Sequence, residues 1–160
     1  MAALPSVAEQ QRSASHPNMR IAAPDGAFVE VTFLRRTWPD ATDFWDGNWI
    51  TVTVRASSHG IHCTLDTQLR VDELRSLIAR LAELHRTLTG QLEFWPMEPN
   101  LKLTFQMGKG GWLTVFVELQ PDLADPARMT FELCVDQTYI LDMIAELAAD
   151  LERFPQVGHS

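Results

Sequence analysis

Residues 101–119 read LKLTFQMGKGGWLTVFVEL, and this stretch decides the fold. Apolar side chains recur at every second position over Leu101–Met107 and again over Trp112–Leu119. Alternation with a period of two places one face of a strand against a core and the other against water. The intervening Gly108–Gly111 segment suits a hairpin connection, because glycine takes the positive φ that such connections need. The stretch therefore predicts two adjacent antiparallel strands.

The same alternation continues through most of the chain. It predicts further strands at Phe28–Leu34, Trp49–Arg55, Ile61–Leu69 and Met129–Asp136, with a shorter candidate at Gln91–Trp95. Two other segments carry apolar residues at the helical spacing i, i+3, i+4 and i+7, between residues 71 and 88 and between residues 140 and 154. Each predicted helix has a single apolar stripe, so each needs a sheet face to cover.

These elements predict an α+β protein in one two-layer sandwich. An antiparallel sheet of six to seven strands would carry both helices on one face, in the order βββα-β-βββα. No internal repeat is visible in the sequence. We expect a disordered N-terminal tail at residues 1–18, a single domain at residues 19–157 and a short tail at residues 158–160.

Composition limits the possible functions. The chain has 160 residues and a net charge of −8, so nucleic acid is not the expected partner and a basic protein surface is favoured. It has no apolar run long enough to span a membrane and no secretory signal, which predicts a cytoplasmic protein without membrane association. Cys63 and Cys134 are isolated, so we expect reduced thiols, with a cross-strand disulfide as the alternative, and no metal or redox motif.

The segment Trp38–Trp49, which we call the acidic tryptophan loop, breaks the alternation. It contains three of the five tryptophans together with Asp40, Asp43 and Asp46. Asp46-Gly47 is typical of a turn in which glycine takes a left-handed conformation. Three interpretations stay open: a structural plug at the end of the sheet, a recognition patch for a basic partner, or a site where the three aspartates bind a hard cation. The spacing of these aspartates matches no calcium loop, which makes the cation site the weakest of the three.

Several short segments resemble a known family. They are Asp43-Phe44-Trp45-Asp46-Gly47-Asn48-Trp49-Ile50, Leu69 with Glu73-Leu74, Phe94-Trp95-Pro96-Met97-Glu98-Pro99, and Asp136-Gln137-Thr138-Tyr139. Over residues 28–157 the chain is similar to small bacterial WapI-type immunity proteins. The resemblance implies an antitoxin that binds and blocks a cognate toxin domain, often a nuclease. It supplies no binding residues.

Motifs for catalysis are weak. His62 shares a strand face with Asp66, but Cys63 should point to the opposite face, so no nucleophilic triad is predicted. The Gly108–Gly111 segment lacks the spacing of a phosphate-binding loop and precedes a strand instead of a helix. We therefore predict a non-enzymatic protein with no catalytic residue, no cofactor and no bound metal.

The predicted partner is the basic surface of a toxin domain. It would be met by the acidic tryptophan loop and by part of the polar sheet face, and the predicted contact residues are Asp40, Asp43, Trp45, Asp46, Asn48, Trp49, Asp66 and Glu132. The alternative is a small-molecule-binding protein or an unrecognised enzyme with a pocket near Trp45, Trp49 and Trp95. A third hypothesis is a structural subunit that dimerises through an exposed edge strand, so the chain would be a monomer or a homodimer.

Overall fold

A unit of four strands followed by one helix occurs twice in the fold. The computed structural model describes residues 18–160. The first unit contains β1 (Asn18–Ala22), β2 (Phe28–Arg36), β3 (Trp49–Ser58), β4 (Ile61–Arg70) and α1 (Val71–Thr87). The second contains β5 (Gln91–Phe94), β6 (Leu101–Met107), β7 (Trp112–Leu119), β8 (Met129–Asp136) and α2 (Thr138–Arg153), with a 3₁₀ turn at Lys109–Gly111 between β6 and β7.

The α+β class is confirmed, but the single sheet of six to seven strands is wrong. The strands form two four-stranded antiparallel sheets, with the orders β1-β2-β3-β4 and β5-β6-β7-β8. Every hydrogen-bonded pair joins strands that are neighbours in the chain, and α1 interrupts the series between β4 and β5. Alternation indicates which face of a strand is buried, whereas it does not indicate which strand edges pair. The predicted one-sheet topology failed for that reason.

The sequence pattern missed strand β1. Its five residues read NMRIA and pair along their whole length with β2, from Asn18 opposite Thr32 to Ala22 opposite Phe28. Two apolar side chains, Met19 and Ile21, enter the core. The rest of the predicted N-terminal tail, residues 1–17, lies outside the described residues.

Both units share one core. The buried faces of the two sheets and the apolar stripes of the two helices belong to a single hydrophobic cluster. Helix α1 packs against α2, and α2 also packs against edge strand β1. A buried polar bridge joins the sheets, because the Thr67 hydroxyl on β4 donates to the Asn100 side chain just before β6 (2.9 Å), and Asn100 donates to the Gln120 carbonyl (3.0 Å). This arrangement leaves the opposite, outer face of each sheet toward solvent.

Candidate functional site

The acidic tryptophan loop is built around one buried arginine. Arg70 lies at the β4–α1 junction with almost no exposed surface, and its guanidinium donates to the Trp45 carbonyl (2.6 Å) and the Phe44 carbonyl (3.1 Å). The same group is ion-paired with Asp72 (2.9 Å). The guanidinium carbon Cζ of Arg70 lies 5.1–5.3 Å from the ring centres of Phe44, Trp45 and Trp49. The buried charge is therefore matched by carbonyl dipoles, a carboxylate and aromatic faces.

Asn48 joins the loop to the C-terminal segment. Its side-chain amide donates to the carbonyls of Phe44 (2.8 Å) and Val157 (2.9 Å), and its side-chain oxygen accepts from the Val157 amide (3.0 Å). Its backbone carbonyl accepts from the first amide of α1, that of Val71 (2.9 Å). Asn48 is fully buried, so it fixes the shape of the loop and offers no surface to a partner.

Glycine is required at position 47 because the C-terminal segment approaches closely, and not because the residue adopts a positive φ. The expected left-handed conformation is absent, since Gly47 is not among the glycines with positive φ in the described chain. A Cβ at this position would lie 2.2 Å from a Val157 methyl and 2.7 Å from the Asp43 carbonyl oxygen. Any larger residue would therefore push the C-terminal segment off the loop.

Asp43 closes the turn that displays Trp45. One carboxylate oxygen accepts from the backbone amides of Trp45 and Asp46, each at 2.9 Å. The hydrogen bond from the Asp46 amide is the largest influence that lowers the pKa of Asp43, so this side chain is ionised at neutral pH. Asp43 thus keeps a negative charge at the surface while it holds the local backbone.

The side chains that project from this fixed backbone are aromatic and acidic. Trp45 and Trp38 are 63% and 55% exposed, and Asp40 and Asp46 are exposed beside them. The backbone of the loop therefore agrees with the structural interpretation. Its outward side chains are of the types that the recognition interpretation requires. Within residues 18–160, no group of three or more His, Cys, Asp or Glu side chains is arranged to hold a metal ion.

The remaining predicted contact residues lie apart from the loop's outer surface. Trp49 is half-buried beneath Arg70. Asp66 lies on the outer face of the first sheet, where it accepts from the Thr53 hydroxyl (2.6 Å). Glu132 lies on the outer face of the second sheet. Arg70 was missed by sequence reasoning, because a single arginine at the end of a strand carries no pattern that marks it as buried.

The structure places His62 and Cys63 on opposite faces of β4. His62 is exposed on β4, while Cys63 alternates toward the core and is half-buried. Burial raises the pKa of the Cys63 thiol, which is opposite to the change that activates a nucleophile. No disulfide joins Cys63 and Cys134. Neither described helix is both long and apolar enough to cross a membrane.

Two of the other family-like segments meet in space, and the third lies at the start of α2. The Glu73 carboxylate accepts from the backbone amide of Arg70 (3.1 Å) and from that of Met97 (2.7 Å), so the start of α1 is tied to the segment after β5. At the start of α2, the Gln137 amide donates to the Gly111 carbonyl (3.0 Å) and the Thr138 amide donates to Asp136 (2.9 Å). Glu73 and Asp136 thus each accept from a backbone amide at the N-terminal end of a helix, where backbone amides lack helical partners.

Comparison with known proteins agrees with these motifs. The profile of the immunity protein WapI-like family matches residues 20–155. The chain belongs to this family. As a WapI-like immunity protein it falls in a group that is typically non-enzymatic. No curated protein matches it. A solved structure titled "Crystal structures of trypanosoma bruciei MRP1/MRP2" is similar, with a TM-score of 0.54 and 12% identity over 96% of each chain, and this likeness concerns the fold alone.

Proposed function

We propose that this WapI-like protein is an immunity protein that binds and neutralises a toxin domain with a basic surface. The observation that carries the proposal is the acidic tryptophan loop, which presents two exposed tryptophans and several carboxylates on a backbone held from beneath by Arg70 and Asn48. A nuclease is the toxin class that best fits, because a surface that binds phosphates is positively charged. The protein acts without catalysis, in the cytoplasm where such a toxin reaches its target.

The physical basis is a rigid surface with aromatic anchors. Tryptophan is enriched among the residues that dominate binding energy at interfaces, and a surface fixed in advance loses less entropy when it binds. The net charge of −8 and the local carboxylates attract a basic partner and raise the association rate. Trp45 is the best anchor, since its backbone carbonyl is bonded to Arg70 while its ring remains largely exposed.

The proposal predicts that Trp45→Ala weakens toxin binding by about tenfold or more, a typical loss for an interface anchor.

Asp40→Asn combined with Asp46→Asn should mainly slow association, and the difference in association rate from wild type should shrink as salt is added. The partner in both tests is a toxin domain sought among the products of the neighbouring genes. Titration calorimetry measures the affinity of Trp45→Ala, and stopped-flow fluorescence measures the association rate of the double variant.

Asp25→Asn provides the matched control. Asp25 closes the β1–β2 turn by accepting from the Ala27 amide (3.0 Å), much as Asp43 closes the turn in the loop. That turn lies near the far end of β3, because Phe28 pairs with Ser57 while the loop ends at Trp49. If wild type and Trp45→Ala bind the toxin domain with equal affinity, the loop is not the contact surface. Absence of wild-type binding would refute the immunity function.

A further inference from the structure

Both carboxylates on the outer face of the first sheet already have partners. Glu30 lies between Arg20 (3.0 Å) and Arg55 (3.5 Å), and Asp66 accepts from Thr53 (2.6 Å). The central rows of this face carry no exposed large aromatic side chain among the described residues. An incoming cation would have to displace the arginines that pair with Glu30 or the hydroxyl that donates to Asp66.

The outer face of the second sheet is different. It forms an open groove of about 430 Å³, which we call the Phe116 groove, lined by Trp95, Lys102, Thr104, Phe116, Thr130 and Glu132. Strand register places Phe116 between Thr104 on one side and Glu132 on the other. Trp95 is 58% exposed and Phe116 is 37% exposed, so aromatic surface faces solvent along the groove.

One carboxylate in the groove remains unpaired. Glu118 is ion-paired with Lys102 (3.7 Å) and Arg128 (3.5 Å), and the Lys102 ammonium also lies 5.2 Å from the Trp95 ring centre. Both nearby cations therefore lie at the Glu118 end. Glu132 forms no hydrogen bond or ion pair with any of residues 18–160 and is exposed beside Phe116. Directly opposed residues on antiparallel strands have Cβ atoms about 5 Å apart, so one ligand group can contact both side chains.

We propose that the Phe116 groove binds an arginine side chain of the toxin domain, so this inference rests on the proposed function. A guanidinium is planar, stacks on an aromatic face and pairs with a carboxylate through two parallel hydrogen bonds. Phe116 supplies the face and Glu132 supplies the carboxylate. The remaining donors bind the Thr130 hydroxyl and the Thr104 hydroxyl, which also accepts from the Trp95 indole (3.4 Å). The guanidinium of Arg70 already lies among aromatic rings and beside Asp72 in this same protein. A basic partner is also the one that a chain of charge −8 attracts.

The first test uses N-acetyl-arginine amide as the probe and two-dimensional ¹⁵N NMR as the readout. We expect weak binding, in the millimolar range, with shift changes centred on Thr104, Phe116 and Glu132. These changes should be lost in Glu132→Gln and reduced in Phe116→Leu, whereas Asp66→Asn on the first sheet should leave them intact. N-acetyl-norleucine amide at the same ionic strength should not produce them. Equal shifts with the norleucine probe, or unchanged shifts in Glu132→Gln, would overturn the inference.

The second test uses the toxin domain itself. Glu132→Gln should weaken its binding by about tenfold, without changing the stability of the free protein, because the carboxylate is exposed and has no partner to lose. If wild type binds the toxin and neither Glu132→Gln nor Phe116→Leu changes that binding, the groove is not a binding site. The proposed immunity function would be unaffected by this result. Absence of wild-type binding would overturn the immunity function, and the assignment of the arginine to a toxin with it.

Discussion

At the scale of single residues, Arg70 explains why the acidic tryptophan loop has its composition. A buried guanidinium needs acceptors in several directions, and the loop supplies two backbone carbonyls and three aromatic rings while α1 supplies Asp72. The loop in turn needs Gly47, because no side chain fits between it and Val157. The sequence WDGNW is therefore a structural unit whose outward surface is free for binding.

Replacement of Arg70 by Met should lower the free energy of unfolding by about 3 kcal/mol, since the Trp45 carbonyl loses its donor, the Phe44 carbonyl keeps only Asn48, and Asp72 loses its partner. Arg70→Lys should lie between Met and wild type, because one ammonium cannot reproduce the planar fork. Arg86→Met is the control, as its ion pair with Glu83 is exposed and such pairs contribute little to stability. Urea unfolding measures all three, and equal losses for Arg70→Met and Arg86→Met would contradict the role of Arg70.

At the scale of elements, the sequence predicted strands and helices well wherever a pattern extended over several residues. Strand β6 and strand β7 begin and end where alternation predicts, and α1 follows its apolar stripe. Strand β1 was missed because two buried residues, Met19 and Ile21, are too few to establish a period. Strand β3 runs past the predicted Arg55 to Ser58, because pairing with β4 continues to the tip of the hairpin.

The site was less predictable than the elements. Composition identified the loop, and exposure of Trp38, Trp45 and Asp46 agrees with a surface role. The sequence could not indicate that Asn48 is buried, because its three bonds go to Phe44 and Val157, and Val157 is distant in the chain. Nor could it indicate that Glu132 and Phe116 share a groove, since that depends on which strand edges pair.

Helix α2 contains a buried carboxyl group with an unmatched oxygen. Asp150 is 1% exposed, and its Oδ2 atom has no hydrogen-bond partner among the described residues. Its other oxygen lies 3.5 Å from the Arg153 guanidinium, which also donates to the Phe33 carbonyl on β2 (3.4 Å). Burial is the main cause that raises the pKa of Asp150 to about 7. Arg153 opposes this rise and the Glu146 carboxylate adds to it.

This raised pKa predicts a pH-dependent effect of Asp150→Asn. The folded state holds a proton on Asp150 between pH 4 and 7 that the unfolded chain has released, so this group's contribution to stability falls as the pH rises from about 4 to about 7. Asparagine does not ionise, so the free energy of unfolding of the variant should exceed that of wild type by about 2–4 kcal/mol at pH 8. At pH 4 the difference should be much smaller. Urea unfolding at both pH values measures the gap, with Glu152→Gln on the same helix as control. An equal gap at the two pH values would contradict the prediction.

At the scale of the whole molecule, two similar ββββα units build one core. Neither helix packs only within its own unit, since α1 contacts α2 and its Arg80 donates to the Glu93 carbonyl on β5 (2.8 Å). Helix α2 packs against β1 of the first unit, and the Arg20 amide of that strand donates to Glu146 (3.1 Å). Each unit alone would leave a helix stripe and a sheet face exposed, which is unfavourable in water.

The two units should therefore unfold together. In Trp95→Phe combined with Trp112→Phe, both tryptophans of the second unit are replaced, and the remaining tryptophan fluorescence reports on the first unit. Far-UV circular dichroism reports on both units in the same sample. We expect coincident urea transitions with equal midpoints and slopes, as for a single cooperative domain. A fluorescence transition that precedes or follows the dichroism transition would show that the shared core does not couple the units.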